Sequence, residues 1–404
     1  MNGLLSGVRI LAVEQAIAGP YGAMVLADLG AEVIKIEPPE GEVARRLAGP
    51  GYRGELFYYL SFNRNKKSVV LDLATASGKK AFYGLVEKCD VVWDNFRPGV
   101  MKRLGADYDT LKKINPKIIC CSLSGYGSTG PYIHRPSFDV IVQAMSGILS
   151  VTGEPGRPPV RPGPPLADMV AGLFAAVGVV SALVRRSETG EGQRLEVSLL
   201  DSCVSLLAYH LSYYFCSGIV PGPQGSGHLG LAPYGAFKAK DGYMALGIGW
   251  PRVARVIGAE WLSDDPRFST LEARVRNQDE LKAIMEDYLS KASVEQWLAL
   301  FEAEDLPAGP VQTVDEAARD PQVQHRNMVL SLAHPRGGEV KLAGNPVKAE
   351  AIDESQYTAP PTLGEHTEEV LTRLLGYSAE DIARLKREQE EHAAELARHL
   401  HKQL

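Results

Sequence analysis

The sequence has no cysteine pair at metal-ligand spacing. Its five cysteines, Cys89, Cys120, Cys121, Cys203 and Cys216, are odd in number, form no Cys-x-x-Cys, and lie mostly in apolar stretches. That pattern argues against a disulfide framework and a zinc site. It favours buried, reduced thiols and a cytoplasmic location, with no metal ligands expected. No apolar run is long enough to cross a bilayer uninterrupted: residues 169–184 are broken by Gly172 and Gly178 and read as a buried helix. The opening residues carry no basic region, and the apolar run 8–13 is too short for a signal peptide, so none is expected. The first strand-to-helix turn, Ala18-Gly19-Pro20-Tyr21-Gly22, lacks the G-x-G-x-x-G fingerprint, which weakens a nicotinamide or flavin reading. No internal repeat or low-complexity tract is present. The formal net charge of -6 argues against nucleic acid as the main partner, though it leaves room for a local basic pocket.

What is present reads as a globular chain with more than one core. It has 404 residues, 45% hydrophobic and 23% charged, so two domains, or one large domain with an insertion, are expected. Apolar runs at 8–13, 33–36, 68–71, 91–93 and 118–123 read as strands; a helix opens at Gly19-Pro20 and runs to Leu29, and another covers 75–88. Near-continuous apolar strands alternating with helices predict a parallel sheet covered on both faces, a doubly wound, Rossmann-like α/β domain. A long helix follows from Asp168 to about Arg186, then a strand at 194–197 and a helix at 199–215. The texture changes after the Gly- and Pro-dense stretch 217–230. Two short runs, 234–238 and 243–247, flank a Lys240-Asp241-Gly242 turn, which predicts a hairpin, and helices follow near 274–290 and 294–304. These form a smaller α+β domain. A charged amphipathic helix at 379–403 closes the chain. The expected boundaries are 1–217, 218–330 and 331–404.

Asp168 stands out. It follows Pro164-Pro165 at the start of the longest apolar helix. An N-cap is the plain structural reading. A helix N-terminus also favours an ionised carboxylate, and its free N–H groups could stabilise an oxyanion formed there. Arg45, Arg46, Arg64, Lys66, Lys67, Arg97, Lys102 and Arg103 all fall near expected strand ends or in the loops beyond, where open α/β sheets bind ligands. They suit a phosphorylated ligand, or they are solvated surface charges. The loop from Ser124 through Gly125, Tyr126 and Gly127 to Pro131 reads as a binding loop beyond a strand.

Several segments converge on one family. They include Leu29-Gly30-Ala31-Glu32-Val33-Ile34-Lys35-Ile36-Glu37, Asn63-Arg64-Asn65-Lys66-Lys67-Ser68, Asn95-Phe96-Arg97-Pro98-Gly99 with Arg103-Leu104-Gly105, and Ser124-Gly125-Tyr126-Gly127. Later come Gly190-Glu191-Gly192-Gln193, Ala232-Pro233-Tyr234 with Lys240-Asp241-Gly242, and Leu363-Gly364-Glu365-His366-Thr367. In this order the chain resembles the class III CoA-transferases, the group containing formyl-CoA transferase, carnitine CoA-transferase and α-methylacyl-CoA racemase.

The resemblance implies that Asp168 is a covalent nucleophile carrying first an acyl anhydride, then a CoA thioester. It implies CoA contacts at Asn95, Phe96 and Arg103, adenine contacts from the backbone of Leu71, Asp72 and Leu73, and a thioester-lining loop at Ala16 and Ile17. It also implies an interlocked homodimer whose large domain is completed by the C-terminal segment. Coenzyme A is then a substrate, with no tightly bound cofactor, and the partners are an acyl-CoA such as succinyl-CoA and a small carboxylic acid, without nucleic acid or membrane.

This chain departs from formyl-CoA transferase at Ile17, Pro38 and Phe138, where that enzyme has glutamine, a basic residue and tyrosine, which weakens a formyl/oxalate pair. Arg45 or Arg46 is expected to replace the missing charge, with Arg46 the candidate for holding a second carboxylate. Gly225-Ser226-Gly227-His228 is the nearest match to the family's mobile glycine loop. Asp139 is a candidate buttress for Asp168, and His366 reads as structural. A racemase needs two proton-transfer groups, and Phe138 occupies the position of one of them, with His134 one turn earlier. A non-catalytic CoA-binding protein is the remaining alternative, opposed by the presence of Asp168.

Overall fold

The computed structural model describes residues 3–401, which form two compact units. The first contains the residues up to Ile148, Pro162–Ala208 and the chain from His325 on; the second contains Leu149–Arg161 and Tyr209–Gln324. The unit boundaries thus fall at 208/209 and 324/325, against the 217/218 and 330/331 read from composition. The stretch 149–161 goes with the second unit, where Gly225 N donates to Gly153 O at 2.8 Å.

The first unit is built on six parallel strands: β1 (Arg9–Val13), β2 (Glu32–Glu37), β3 (Lys66–Val70), β4 (Val91–Asp94), β5 (Ile119–Ser124) and β6 (Arg194–Ser198). Their spatial order is β3-β2-β1-β4-β5-β6. This is the doubly wound order, with a switch point between β1 and β4. The central strands are apolar on both faces because both faces are covered: Ile10, Leu11, Val33, Ile34, Val91 and Trp93 are all buried.

Helix α1 (Ala18–Asp28) follows β1 and stops where Gly30 adopts φ +102°. Helix α2 (Ala76–Val86) is capped by Thr75, whose side chain accepts from Gly78 N. Helices α3 (Asp139–Ser146) and α4 (Leu166–Thr189) precede β6, and α5 (Leu199–Leu206) follows it. Helices α1 and α4 cross at glycines: a Cβ on Gly22 would lie 2.5 Å from Gly172 O, and one on Gly172 would lie 2.6 Å from Ala18 O. No other residue permits that approach.

Two sequence expectations need correction here. Helix α4 is not a fully buried helix, since Leu173, Phe174, Val177 and Val184 are 40–64% exposed. By length and composition alone it could also cross a membrane, because glycine interrupts apolarity without breaking the helix. The helix expected over 199–215 is two helices, Leu199–Leu206 and Ala208–Ser217, parted at Leu207.

In the second unit the hairpin of β7 (Gly235–Lys238) and β8 (Tyr243–Leu246) is joined by β9 (Ala308–Pro310) in an antiparallel sheet. Helices α6 (Gln278–Leu289) and α7 (Val294–Ala303) pack on it around Phe237, Met244, Met285 and Phe301. The expected helix over 274–290 is divided at Asn277.

The last part of the chain returns to the first unit as α8 (Thr367–Leu375) and α9 (Ala379–His401). Val370, Leu371 and Leu385 join the core formed by α2 and β3. Position 403, at the expected end of the last helix, lies outside the described residues.

Candidate active site

Loops diverge at the switch point, where β1 and β4 end. Two side-chain bonds tie them together: Gln15 N donates to Asn95 Oδ1 at 2.8 Å, and Asn95 Nδ2 donates to Gln15 O at 2.8 Å. Asn95 fits because Gly19 beside it has no Cβ; a Cβ there would lie 2.8 Å from Asn95 Cγ. Ala16 is held at φ +61°, a left-handed conformation costly for alanine. The Glu42 carboxylate fixes it by accepting from Ala16 N at 2.9 Å, and Glu42 is itself paired with Lys35 at 3.1 Å. Ile17 is buried just before α1.

Asp168 is the third residue of α4, not its N-cap; the helix begins at Leu166 after Pro165, which has no side-chain acceptor. The capping carboxylate comes from Asp139 at the start of α3. Its Oδ1 accepts from Ala167 N at 2.9 Å and Asp168 N at 3.3 Å, while Oδ2 accepts from Gln143 Nε2 at 2.6 Å. These amides are therefore engaged, and Met169 N donates to Pro165 O. The idea that they form a free oxyanion site is corrected accordingly. Asp168 is half-buried and has no cationic partner among the described residues. Burial, and then the nearby Asp139 carboxylate, raise its pKa to about 7. The same surroundings push the Cys203 thiol up to about 11.

Two adjoining cavities open at this edge of the sheet. The larger, about 490 Å³, is lined by Asp94, Phe96, Arg97, Lys102, Ser122 and Arg194, among others. At its floor Asp94 is buried, accepts from Ser122 Oγ at 2.6 Å, and is pushed up to about 6 by desolvation. The smaller, about 190 Å³, is lined by Gln15, Asn95, Tyr126, Arg135, Ser137 and Phe138. Phe96, Arg97, Pro98, Ser124 and Ile133 are common to both.

The structure therefore brings together Asn95, Phe96, Arg97, Lys102, Gly125 and Tyr126, with Ala16 and Ile17 in the loop beside them. Gly125 is needed because Ser137 occupies the space a Cβ would take. Arg103, exposed on the short helix Val100–Leu104, lines neither cavity.

Four other cations in the sequence cluster, Arg45, Arg64, Lys66 and Lys67, are held in ion pairs. Arg45 is spent on Glu37 at 2.7 Å and Glu55 at 2.8 Å, with its guanidinium 3.6 Å from the Tyr59 ring centroid. Arg64 pairs with Asp28 at 2.6 Å, and Lys66 with Glu14 at 2.6 Å. Lys66 and Lys67 begin β3 rather than end a strand. Arg46 is exposed and lines neither cavity. Leu71 and Leu73 are core residues, and Asp72 N donates to Gln389 Oε1 of α9 at 2.8 Å. Residues not singled out beforehand are Glu42, Ser137 and Arg135; only Arg135, next to the loop already read as binding, carried a signal in the sequence.

Comparison with known proteins agrees with this geometry. The model of CoA-transferase family III matches residues 5–367. The chain is 36% identical over 386 residues to succinyl-CoA:glutarate CoA-transferase of Homo sapiens, covering 94% of this chain and 88% of that protein. It is 41% identical over 359 residues to acetyl-CoA:oxalate CoA-transferase of Acetobacter aceti, covering 87% and 91%. A CAIB/BAIF family protein from Brucella suis superposes with a TM-score of 0.82 at 34% identity, over 93% of this chain and 100% of that one. The chain belongs to CoA-transferase family III.

Proposed function

We propose that the protein moves coenzyme A from an acyl-CoA to a dicarboxylic acid, with Asp168 as the covalent carrier. The observation that carries this reading is an unpaired, half-buried carboxylate with a pKa of about 7; it lines neither cavity, but Asp139, which binds its amide, directly follows Ser137 and Phe138 of the smaller one. Most buried charges in this protein have a partner of opposite sign, whereas Asp168 faces a second carboxylate. Burial and like charge destabilise the ionised form. Conversion to an uncharged anhydride or thioester relieves both penalties, which favours nucleophilic attack.

The steps balance as follows. The Asp168 carboxylate attacks the acyl carbonyl of the donor and expels CoA thiolate, leaving a mixed anhydride. The thiolate attacks the aspartyl carbonyl and releases the donor acid as a carboxylate, leaving aspartyl-CoA. The acceptor carboxylate attacks that thioester and expels the thiolate, giving a second anhydride. The thiolate then attacks the acceptor's carbonyl, forming the new acyl-CoA and restoring Asp168. Asp139 holds the first turn of α4 through the Ala167 and Asp168 amides while this happens. Arg97 and Lys102 supply positive charge for the CoA phosphates. Glutarate and oxalate in the names of the relatives support a dicarboxylic acceptor.

The exposed apolar face of α4 supports a homodimer, since a second copy would remove Leu173, Phe174, Val177 and Val184 from water. A racemase is disfavoured by Phe138, which lines the smaller cavity and carries no proton.

The test is to incubate the protein with succinyl-CoA and no acceptor, treat it with hydroxylamine or borohydride, and map the modified peptide by mass spectrometry. Modification at Asp168 is expected. An unmodified Asp168 across several donors, together with α-proton exchange on a 2-methylacyl-CoA, would replace this reading with the racemase one.

A further inference from the structure

Several arginines of the first unit are committed to carboxylates. Arg9, Arg45, Arg64 and Arg186 each pair with a carboxylate at 2.6–2.8 Å. Arg135 differs: it is exposed, has no ion pair among the described residues, and faces the smaller cavity. Its guanidinium lies 3.9 Å from the centroid of the Tyr132 ring, and Tyr132 meets Tyr126 edge-on at 5.8 Å. The stack holds the planar fork in place while leaving its N–H donors free for a ligand.

Its position relative to the reacting carboxylate is also constrained. Four residues on, Asp139 binds the amides of Ala167 and Asp168, so at most about 14 Å of extended backbone separates Arg135 from that contact. Between them Ser137 and Phe138 line the same cavity as Gln15 and Asn95 of the switch-point loops. The larger cavity has Lys102 and Arg194 to itself and shares Arg97 with the smaller. Cations are thus available for phosphates in the larger cavity, while Arg135 lines only the smaller one, whose Ser137 and Phe138 lead directly into Asp139 and its bond to the Asp168 amide.

We infer that Arg135 binds the distal carboxylate of a dicarboxylic acyl group and so selects dicarboxylic over monocarboxylic substrates. This rests on the transferase reading and replaces Arg46, which lies outside both cavities, as the candidate for that role.

Two measurements test it. The first is the ratio of kcat/KM for glutarate to that for butyrate, in wild type, Arg135→Gln and Arg135→Lys. The second is the affinity of glutaryl-CoA, butyryl-CoA and free CoA, measured by calorimetry in an Asp168→Ala background, where no turnover occurs. Arg135→Gln should lower the glutarate/butyrate ratio about 10- to 100-fold, as expected for one charge-assisted bond, and weaken glutaryl-CoA by a similar factor relative to butyryl-CoA. Arg135→Lys should recover part of the ratio. Equal losses for both acids would overturn the inference, as would an unchanged ratio. A loss shared by free CoA would assign Arg135 to the phosphates and overturn it too. Absent transfer in the wild type would defeat the transferase reading, while the calorimetric comparison would still decide the role of Arg135.

Discussion

Two sets of carboxylates, one buried and one half-buried, are treated oppositely. Beneath the loop after β1, Glu14 meets Lys66 at 2.6 Å and Lys35 at 3.6 Å, Glu42 meets Lys35, and Glu37 meets Arg45. Each charge there has a counter-charge, and Glu37 is held below the usual carboxylate range despite desolvation, chiefly by Arg45 and Lys35. At the start of α4, Asp139 and Asp168 face each other with no ion pair to either among the described residues, and Asp168 is raised. The first arrangement fixes a backbone conformation, including the left-handed Ala16. The second stores an electrostatic penalty that covalent chemistry can discharge. A buried charge is thus not by itself a functional signal; what sets the start of α4 apart is one carboxylate facing another.

Removing the carrier should have the largest effect. Asp168→Ala should lower CoA transfer by about 10³-fold or more while CoA still binds, as read by acyl-CoA chromatography and calorimetry. Next, Glu14→Ala strips the counter-charge from Lys66 and should cost about 3–5 kcal/mol in denaturant unfolding, the range for breaking a buried pair. If Glu14→Ala costs less than Asp168→Ala does in unfolding, the contrast between the two regions fails.

The third prediction concerns pH. The native state keeps a proton on Asp168 up to about pH 7, whereas the unfolded chain releases it near 3.8. Stability from this group is therefore present at low pH and lost as pH rises through that window. Asp168→Asn should stabilise the protein by about 1–2 kcal/mol at pH 8, allowing for solvent screening, and by little at pH 4. Asp139→Asn keeps an oxygen for the α4 amides but removes the like charge. The pH limb of adduct formation should then move to lower pH; an unmoved limb would leave desolvation as the only cause. Smallest of all, Ala16→Gly should relieve about 1 kcal/mol of backbone strain, visible as a slight rise in Tm.

The parallel sheet was legible because its central strands are continuous apolar runs, and the hairpin because Lys240-Asp241-Gly242 interrupts two short ones. Asp168 was legible through its place at the head of an apolar helix. Asp139 was legible as its buttress, but that it caps the helix through the Ala167 and Asp168 amides was not, because it lies 29 residues before Asp168. The same limit explains the cations: Arg64 and Lys66 find their partners 36 and 52 residues away, and nothing local separates them from Arg97. Helix breaks at Leu207 and Asn277 carry no proline or glycine, so they too escaped the pattern.

The first unit is assembled from distant parts of the chain. Tyr357 donates to Asp28 O at 2.9 Å, Arg64 to Ala343 O at 2.8 Å, and Asp72 to Gln389 at 2.8 Å. On a ribosome adding roughly 5–20 residues per second, the strands made first would wait roughly 15–65 s for those partners, while the whole second unit is synthesised in between. Chaperone dependence during synthesis, and refolding yields that fall with protein concentration, are the outcomes expected when a core is covered by the end of the chain.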